Sequence, residues 1–147
     1  MYARLLKLIL LLAAFGWGIS ILGVLLPWST AIAGLSGLGA GTIPHDPMLD
    51  YWMRMVGGGF SIIGAIFAAI LIKPDRFGAL VPLMAWLSIA EGSIILVSGL
   101  RLGLGPFPFA GDVSFCIGIG VGLLVVYPRA AREKNKSTEQ VDGEGRS

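Results

Sequence analysis

One acidic side chain lies near the middle of a long apolar stretch of this 147-residue sequence. Glu91 is the single charged residue between Gly78 and Leu100, a stretch long enough to cross a bilayer. A charged group at the bilayer centre costs ~2.5–3.5 kcal/mol on insertion scales, so such residues usually face other helices and often mark a functional site. We therefore predict a small polar pocket at Glu91 that binds a ligand or a proton.

Hydroxyl side chains of the other apolar stretches lie near the same level as Glu91 when residues are counted along each helix. The predicted pocket residues beside Glu91 are Ser88, Ser61, Ser20 and Ser114. Two alternatives stay open. In the first, the carboxyl donates one hydrogen bond to a nearby backbone or serine oxygen and has only a structural role. In the second, it contacts a partner protein.

Charged residues of opposite sign are expected to pair at one end of the helices. Asp50 precedes Arg54 by one helical turn, a favourable spacing for an ion pair. Helical side chains lean toward the start of their own helix, so we expect Arg54 to pair with Asp50 rather than to reach Glu91. Arg101 and Asp112 form a second candidate pair, although Asp112 also suits the positive end of its own helix.

The residue types that would indicate catalysis or a cofactor are missing from the sequence. His45 and Asp46 supply too few ligands for a closed zinc site. There is no second histidine for haem, no lysine in the interior of an apolar stretch, no phosphate-binding loop and no nucleophile–base pair. We predict a protein without catalytic residues, metal or cofactor, which is not an enzyme.

The composition assigns the chain to the membrane class. It is 55% hydrophobic and 14% charged, whereas about a quarter of the residues of soluble domains are charged. We predict an all-α fold, a four-helix antiparallel transmembrane bundle that occupies one domain over residues 1–128. The predicted spans are about 5–26, 51–72, 78–100 and 109–127, with an outer loop over 27–50 and a disordered charged tail over 129–147. Spans two and three should be antiparallel neighbours because a short turn joins them.

The basic residues predict how the helices are threaded. Those on one side of the spans are Arg4, Lys7, Lys73, Arg76, Arg129, Arg132, Lys134 and Lys136, and those on the other side are Arg54 and Arg101. The positive-inside rule then places both termini in the cytoplasm. The alternative of a cleaved signal peptide stays open, but the first apolar stretch is longer than the ~7–15 residues typical of such peptides.

Small residues at four-residue spacing predict where helices pack. The candidates are Gly57, Ser61 and Ala65 in the second span and the pair Gly118 and Gly122 in the fourth. Such stripes let helix backbones approach closely in lipid. We expect them mainly to hold the bundle together, and alternatively to contact another membrane protein or a second copy.

Three short strings resemble a family of small bacterial four-helix membrane proteins of unknown function. They are Tyr51-Trp52-Met53-Arg54-Met55-Val56-Gly57-Gly58-Gly59, Lys73-Pro74-Asp75-Arg76 and Pro106-Phe107-Pro108. The resemblance extends over about residues 51–127. It implies a four-helix bundle in the inner membrane and no particular activity.

Two function classes follow from these patterns. The first is a non-enzymatic structural or accessory subunit of a membrane assembly, whose partners are the lipid bilayer and another membrane protein or itself. The second is a small-ligand- or proton-binding or transport protein with its site at Glu91. A net charge of +2 gives no reason to expect nucleic acid.

Overall fold

The computed structural model describes residues 1–39, 41–105 and 109–144, with the backbone alone from 134 onward. Within these ranges the chain is helical and has no strand. The helices are α1 (Tyr2–Gly18), α2 (Ile21–Leu25), α3 (Trp28–Gly37), α4 (Pro47–Ile72), α5 (Pro74–Phe77), α6 (Val81–Arg101) and α7 (Phe109–Glu144), with a 3-10 turn at Gly78–Leu80.

Four helical segments of the described chain are long and apolar enough to cross a membrane. They are Tyr2–Leu25, Pro47–Ile72, Pro74–Arg101 and Phe109–Glu133. Their outward faces carry many exposed leucine, isoleucine and valine side chains, a surface suited to lipid rather than to water. The all-α fold with four apolar spans is thus as predicted, while the cytoplasmic placement of the termini stays a prediction.

The first span is interrupted between α1 and α2. The Ser20 amide donates to the Trp17 carbonyl three residues back at 3.3 Å, so the helix tightens locally at Ile19 and Ser20. The apolar pattern, which runs on without a break, does not show this interruption. It matters because Gly18, at the end of α1, is a close packing site.

The region predicted as an outer loop contains a helix. Residues Trp28–Gly37 form α3, and the chain then turns at Gly39, whose φ of 95° suits glycine. Gly34 lies inside this helix and Gly37 is its last residue, so the turn comes only at Gly39. The second span also begins earlier than predicted, since the Asp46 carboxylate accepts from the amides of Met48 (2.7 Å) and Leu49 (3.0 Å) and caps α4.

The last helix continues beyond the predicted end of the fourth span. We expected disorder from residue 129, whereas α7 extends to Glu144, and residues 145–147 lie outside the described chain. Alanine, arginine and glutamate are strong helix formers, and Ala130 is buried against the bundle. Polar composition therefore does not prevent the helix from continuing.

Helix α1 lies between α4 and α7, and α6 packs on the other side of α7. In the order α4, α1, α7 and α6, each helix runs antiparallel to the next. By contrast, α4 and α6 make little direct contact although a short turn joins them. The expectation that spans two and three are close neighbours is therefore corrected: they run antiparallel but leave an open seam, which we call the α4–α6 seam.

Glycines bring the packed helices into backbone contact. A Cβ atom on Gly64 of α4 would lie 2.5 Å from the Gly18 amide nitrogen of α1, and one on Gly57 would lie 2.8 Å from the Ser20 carbonyl oxygen. Between α6 and α7, a Cβ on Gly120 would lie 2.6 Å from the Ala85 carbonyl oxygen. Such distances admit no side chain, so these interfaces depend on glycine.

The predicted packing stripes are only partly used. Gly57 is buried and Gly122 contacts Ile9, but Ala65 and Gly118 are exposed. A four-residue step advances 400° around a helix, so a row at this spacing drifts by about 40° per step. Over eight residues Ala65 rotates out of the interface, and Gly64 takes its place. Ser61 of that stripe donates its hydroxyl to the Gly57 carbonyl of its own helix at 2.7 Å.

Replacing Gly64 should separate α1 from α4. We expect Gly64→Ala to lower the free energy of unfolding by about 1–3 kcal/mol, because the new methyl group meets backbone atoms that cannot move aside. The matched control is Gly118→Ala, which meets open space and should leave stability unchanged or raise it by up to about 1 kcal/mol. Thermal unfolding of both variants in mild detergent measures the difference, and equal midpoints would contradict this packing.

Candidate intramembrane binding site

A cavity of 220 Å³ lies in the α4–α6 seam at the level of Glu91. Helix α1 forms its back wall, while α4 and α6 form its sides. The residues that line it are Trp17, Ile63, Ile66, Met84, Leu87, Ser88 and Glu91. It exists because α1 and α7 hold α4 and α6 apart, and it combines apolar walls with three polar groups.

Glu91 is half-buried at this cavity. Its neighbour Gly92 packs against α7, where a Cβ would lie 2.8 Å from Ile117, so this contact sets the rotation of α6. In the part of the chain that the structure describes, the Glu91 carboxyl makes no hydrogen bond or ion pair. The alternative of an acid that donates to a nearby backbone or serine oxygen stays a prediction.

Ser88 lies one turn before Glu91 and is 3% exposed. Its hydroxyl donates to the Met84 carbonyl at 2.9 Å, which leaves the oxygen lone pairs free to accept. Ser88 and Glu91 are thus brought together as predicted. A bound molecule with a donor group would find two acceptors on this face of α6.

Trp17 supplies a polar group that the sequence analysis missed. The side chain is 5% exposed, and its ring packs against Phe60 at a centroid distance of 5.0 Å and against Phe115 at 6.1 Å. Its indole Nε1 is buried and has no acceptor among the described residues. Buried indole N–H groups usually find a partner, so an indole without one is unusual.

A signal for Trp17 was present in the sequence. Tryptophan in membrane helices concentrates at the two interfaces, whereas Trp17 lies deep in the first span, beside the residues predicted to face Glu91. The position of this tryptophan away from the membrane interfaces indicates a role inside the bundle.

Three predicted pocket residues lie elsewhere. Ser114 is exposed on the outer face of α7. Ser20 lies at the interruption of the first span, where its carbonyl faces Gly57. Ser61 is half-buried and bonded within α4. Counting along helices gives depth but not rotation, so it did not show which way these hydroxyls face.

The predicted pair of Asp50 and Arg54 is present. The Arg54 Nε lies 2.9 Å from the Asp50 Oδ1, and its Nη2 lies 3.5 Å from the Asp50 Oδ2. Arg54 also donates from Nη1 to the Val24 carbonyl of α2 at 2.6 Å. Since α2 ends at Leu25, this guanidinium binds a carbonyl at the negative end of that helix.

The second predicted pair is not formed within the described chain. Arg101 and Asp112 are both exposed, and no ion pair joins them there. Asp112 instead lies in the first turn of α7, the position that the helix dipole favours for an acid.

The Arg54 contact with Val24 should stabilise the end of the bundle opposite Arg4 and Lys7. We expect Arg54→Met, which keeps the aliphatic stem, to lower the free energy of unfolding by about 2 kcal/mol because it leaves the Val24 carbonyl without its charged donor. Arg101→Met is the matched control, since Arg101 is exposed and unpaired among described residues, and it should cost about 0.5 kcal/mol or less. Denaturant unfolding in detergent tests this, and similar losses for both variants would contradict it.

The arrangement suits recognition better than catalysis. Glu91 and Ser88 offer acceptors, Trp17 offers a donor, and the remaining walls are aliphatic or thioether side chains. Among the described residues no group of three or more histidine, cysteine or acidic side chains is placed to hold a metal ion.

Comparisons of the chain with protein-family models, with curated proteins and with solved structures find no match. The resemblance to small bacterial four-helix membrane proteins therefore stays a prediction.

Proposed function

We propose that this chain is a multi-pass membrane protein that binds a small, mostly apolar molecule in the cavity at Glu91. One observation carries the proposal: Glu91 and Trp17 line the same cavity, and among the described residues neither the carboxyl of Glu91 nor the buried indole N–H of Trp17 has a hydrogen-bond partner. Leaving polar groups unpaired inside a bilayer is costly, which favours a site that a ligand completes.

The cavity limits the kind of ligand. A volume of 220 Å³ equals about seven water molecules at ~30 Å³ each, so it admits a small molecule or one end of a longer one. Its polar groups suit a molecule with a hydrogen-bond acceptor for Trp17 and a donor for Glu91 or Ser88. The α4–α6 seam offers an entry path from the bilayer. The binding role is non-enzymatic, because the site holds no nucleophile–base pair.

A second candidate, an accessory subunit of a membrane assembly, is supported by the outer face of α7. Gly111, Ser114 and Gly118 are exposed along this face, and no described side chain packs on Gly118. Small residues exposed on a membrane helix suit close contact with another helix. This reading and the ligand-binding reading use different surfaces and are compatible.

Replacing the acid should remove the bound molecule. We expect the wild-type protein, purified in mild detergent, to carry a small molecule in a one-to-one ratio, and Glu91→Gln and Trp17→Phe each to lose most of it. Glu91→Gln keeps the shape of the side chain and removes the ionisable carboxyl, while Trp17→Phe keeps an aromatic ring and removes the indole N–H. Native mass spectrometry, solvent extraction and an absorption spectrum identify the molecule.

Asp112→Asn is the matched control, because it replaces an exposed acid on α7 by its amide and should retain the molecule. Wild-type protein without any bound small molecule, or equal retention by Glu91→Gln, would contradict the ligand-binding proposal. A membrane protein that copurifies in stoichiometric amount would favour the accessory-subunit candidate instead.

A further inference from the structure

A second and larger cavity lies at the basic end of the bundle, away from Glu91. Its volume is 770 Å³, within the ~300–1,000 Å³ typical of ligand sites. It is bounded by the first turns of α1, the end of α4, the turn that leads into α6, and the part of α7 that follows Tyr127. The volume is open because four of the residues facing it from the turn and from α7 are small: Gly78, Ala79, Ala130 and Ala131.

The floor of this cavity is apolar. Leu10, Ile70 and Val81 line it and are at most 2% exposed, so they belong to the core of the bundle. An occupant that reaches the floor must therefore carry a hydrocarbon segment, because a purely polar molecule would lose hydration without replacement.

The rim of the cavity is positively charged. Arg4 and Lys7 lie three residues apart on one face of α1, both are exposed, and neither forms an ion pair within the described chain. The acids at the rim are already engaged. Glu133 accepts from the Ala3 amide at 3.3 Å and pairs with the amino group of Met1, and Asp75 also has an interaction of its own.

Two cations that form no ion pair among the described residues, above a hydrocarbon-lined cavity, are complementary to one class of amphiphile. We propose that this cavity binds an anionic phospholipid, with the phosphate between Arg4 and Lys7 and part of an acyl chain against Leu10, Ile70 and Val81. Tyr127, which also lines the cavity, has the amphipathic ring that favours the headgroup level of a bilayer. Basic pockets between transmembrane helices are suited to anionic headgroups for the same reason.

The test measures lipid binding to the full-length protein. Purified protein is titrated with dioleoyl phosphatidylglycerol and, separately, with dioleoyl phosphatidylcholine in a zwitterionic detergent, and native mass spectrometry counts the bound lipids. We expect one phosphatidylglycerol to bind at least tenfold more tightly than phosphatidylcholine. Arg4→Gln combined with Lys7→Gln should weaken phosphatidylglycerol binding by about tenfold or more, since each cation near an anionic headgroup contributes favourably.

The control variant is Lys73→Gln combined with Arg76→Gln, which removes the same charge from the same end of the bundle without touching the cavity lining. It should bind phosphatidylglycerol nearly as well as the wild type. Ala79→Phe tests the cavity independently, because it fills the space and leaves both cations in place; it should also abolish tight binding.

Four results would overturn the proposal. Three of them are equal affinity for the two lipids, an equal loss in the Lys73/Arg76 control, which would indicate only general surface charge, and undiminished binding by Ala79→Phe. Displacement of phosphatidylglycerol by millimolar inorganic phosphate would also overturn it, because it would show an anion site that does not use the acyl chain.

Discussion

Close backbone contact at glycine is the constraint on which the rest of this structure depends. Lipid chains are as apolar as the helix surfaces, so burial of leucine or isoleucine gives membrane helices little reason to associate. Contact at Gly64 and Gly57 joins α4 to α1, and contact at Gly120 and Gly92 joins α6 to α7. These interfaces set both the order of the helices and the direction that every other side chain faces.

The same contacts explain why the bundle has an open side. With α1 and α7 in the middle and α4 and α6 outside them, nothing draws α4 and α6 together along their length. The cavity at Glu91 lies on this side of the molecule, whereas the one at the basic end lies where α1, the end of α4, the turn before α6 and α7 meet. Close contact of α1 with α4 and of α6 with α7 thus leaves cavities elsewhere in the bundle. Polar groups that lipid would not solvate line these cavities.

Basic side chains have different surroundings at the two ends of the bundle. At the end that holds Arg54, the guanidinium is engaged by both Asp50 and the Val24 carbonyl and serves to join α2 to α4. At the opposite end, Arg4 and Lys7 are left without an internal acid in the described chain, above an apolar cavity. A paired cation stabilises the fold, whereas an unpaired one remains available to bind an anion from outside.

The sequence by itself determined the class of this protein, the number of its apolar spans, the Asp50–Arg54 pair and the position of one acid deep in the third span, because these follow from hydropathy and from spacing along a single helix. Only the tertiary structure decided which helices are neighbours, that Gly64 rather than Ala65 lies at an interface, and that Trp17 rather than Ser61 or Ser114 borders the cavity with Glu91. Depth along a helix can be counted in residues. Rotation about its axis is set by contacts between helices distant in sequence, and a four-residue stripe drifts out of register with them.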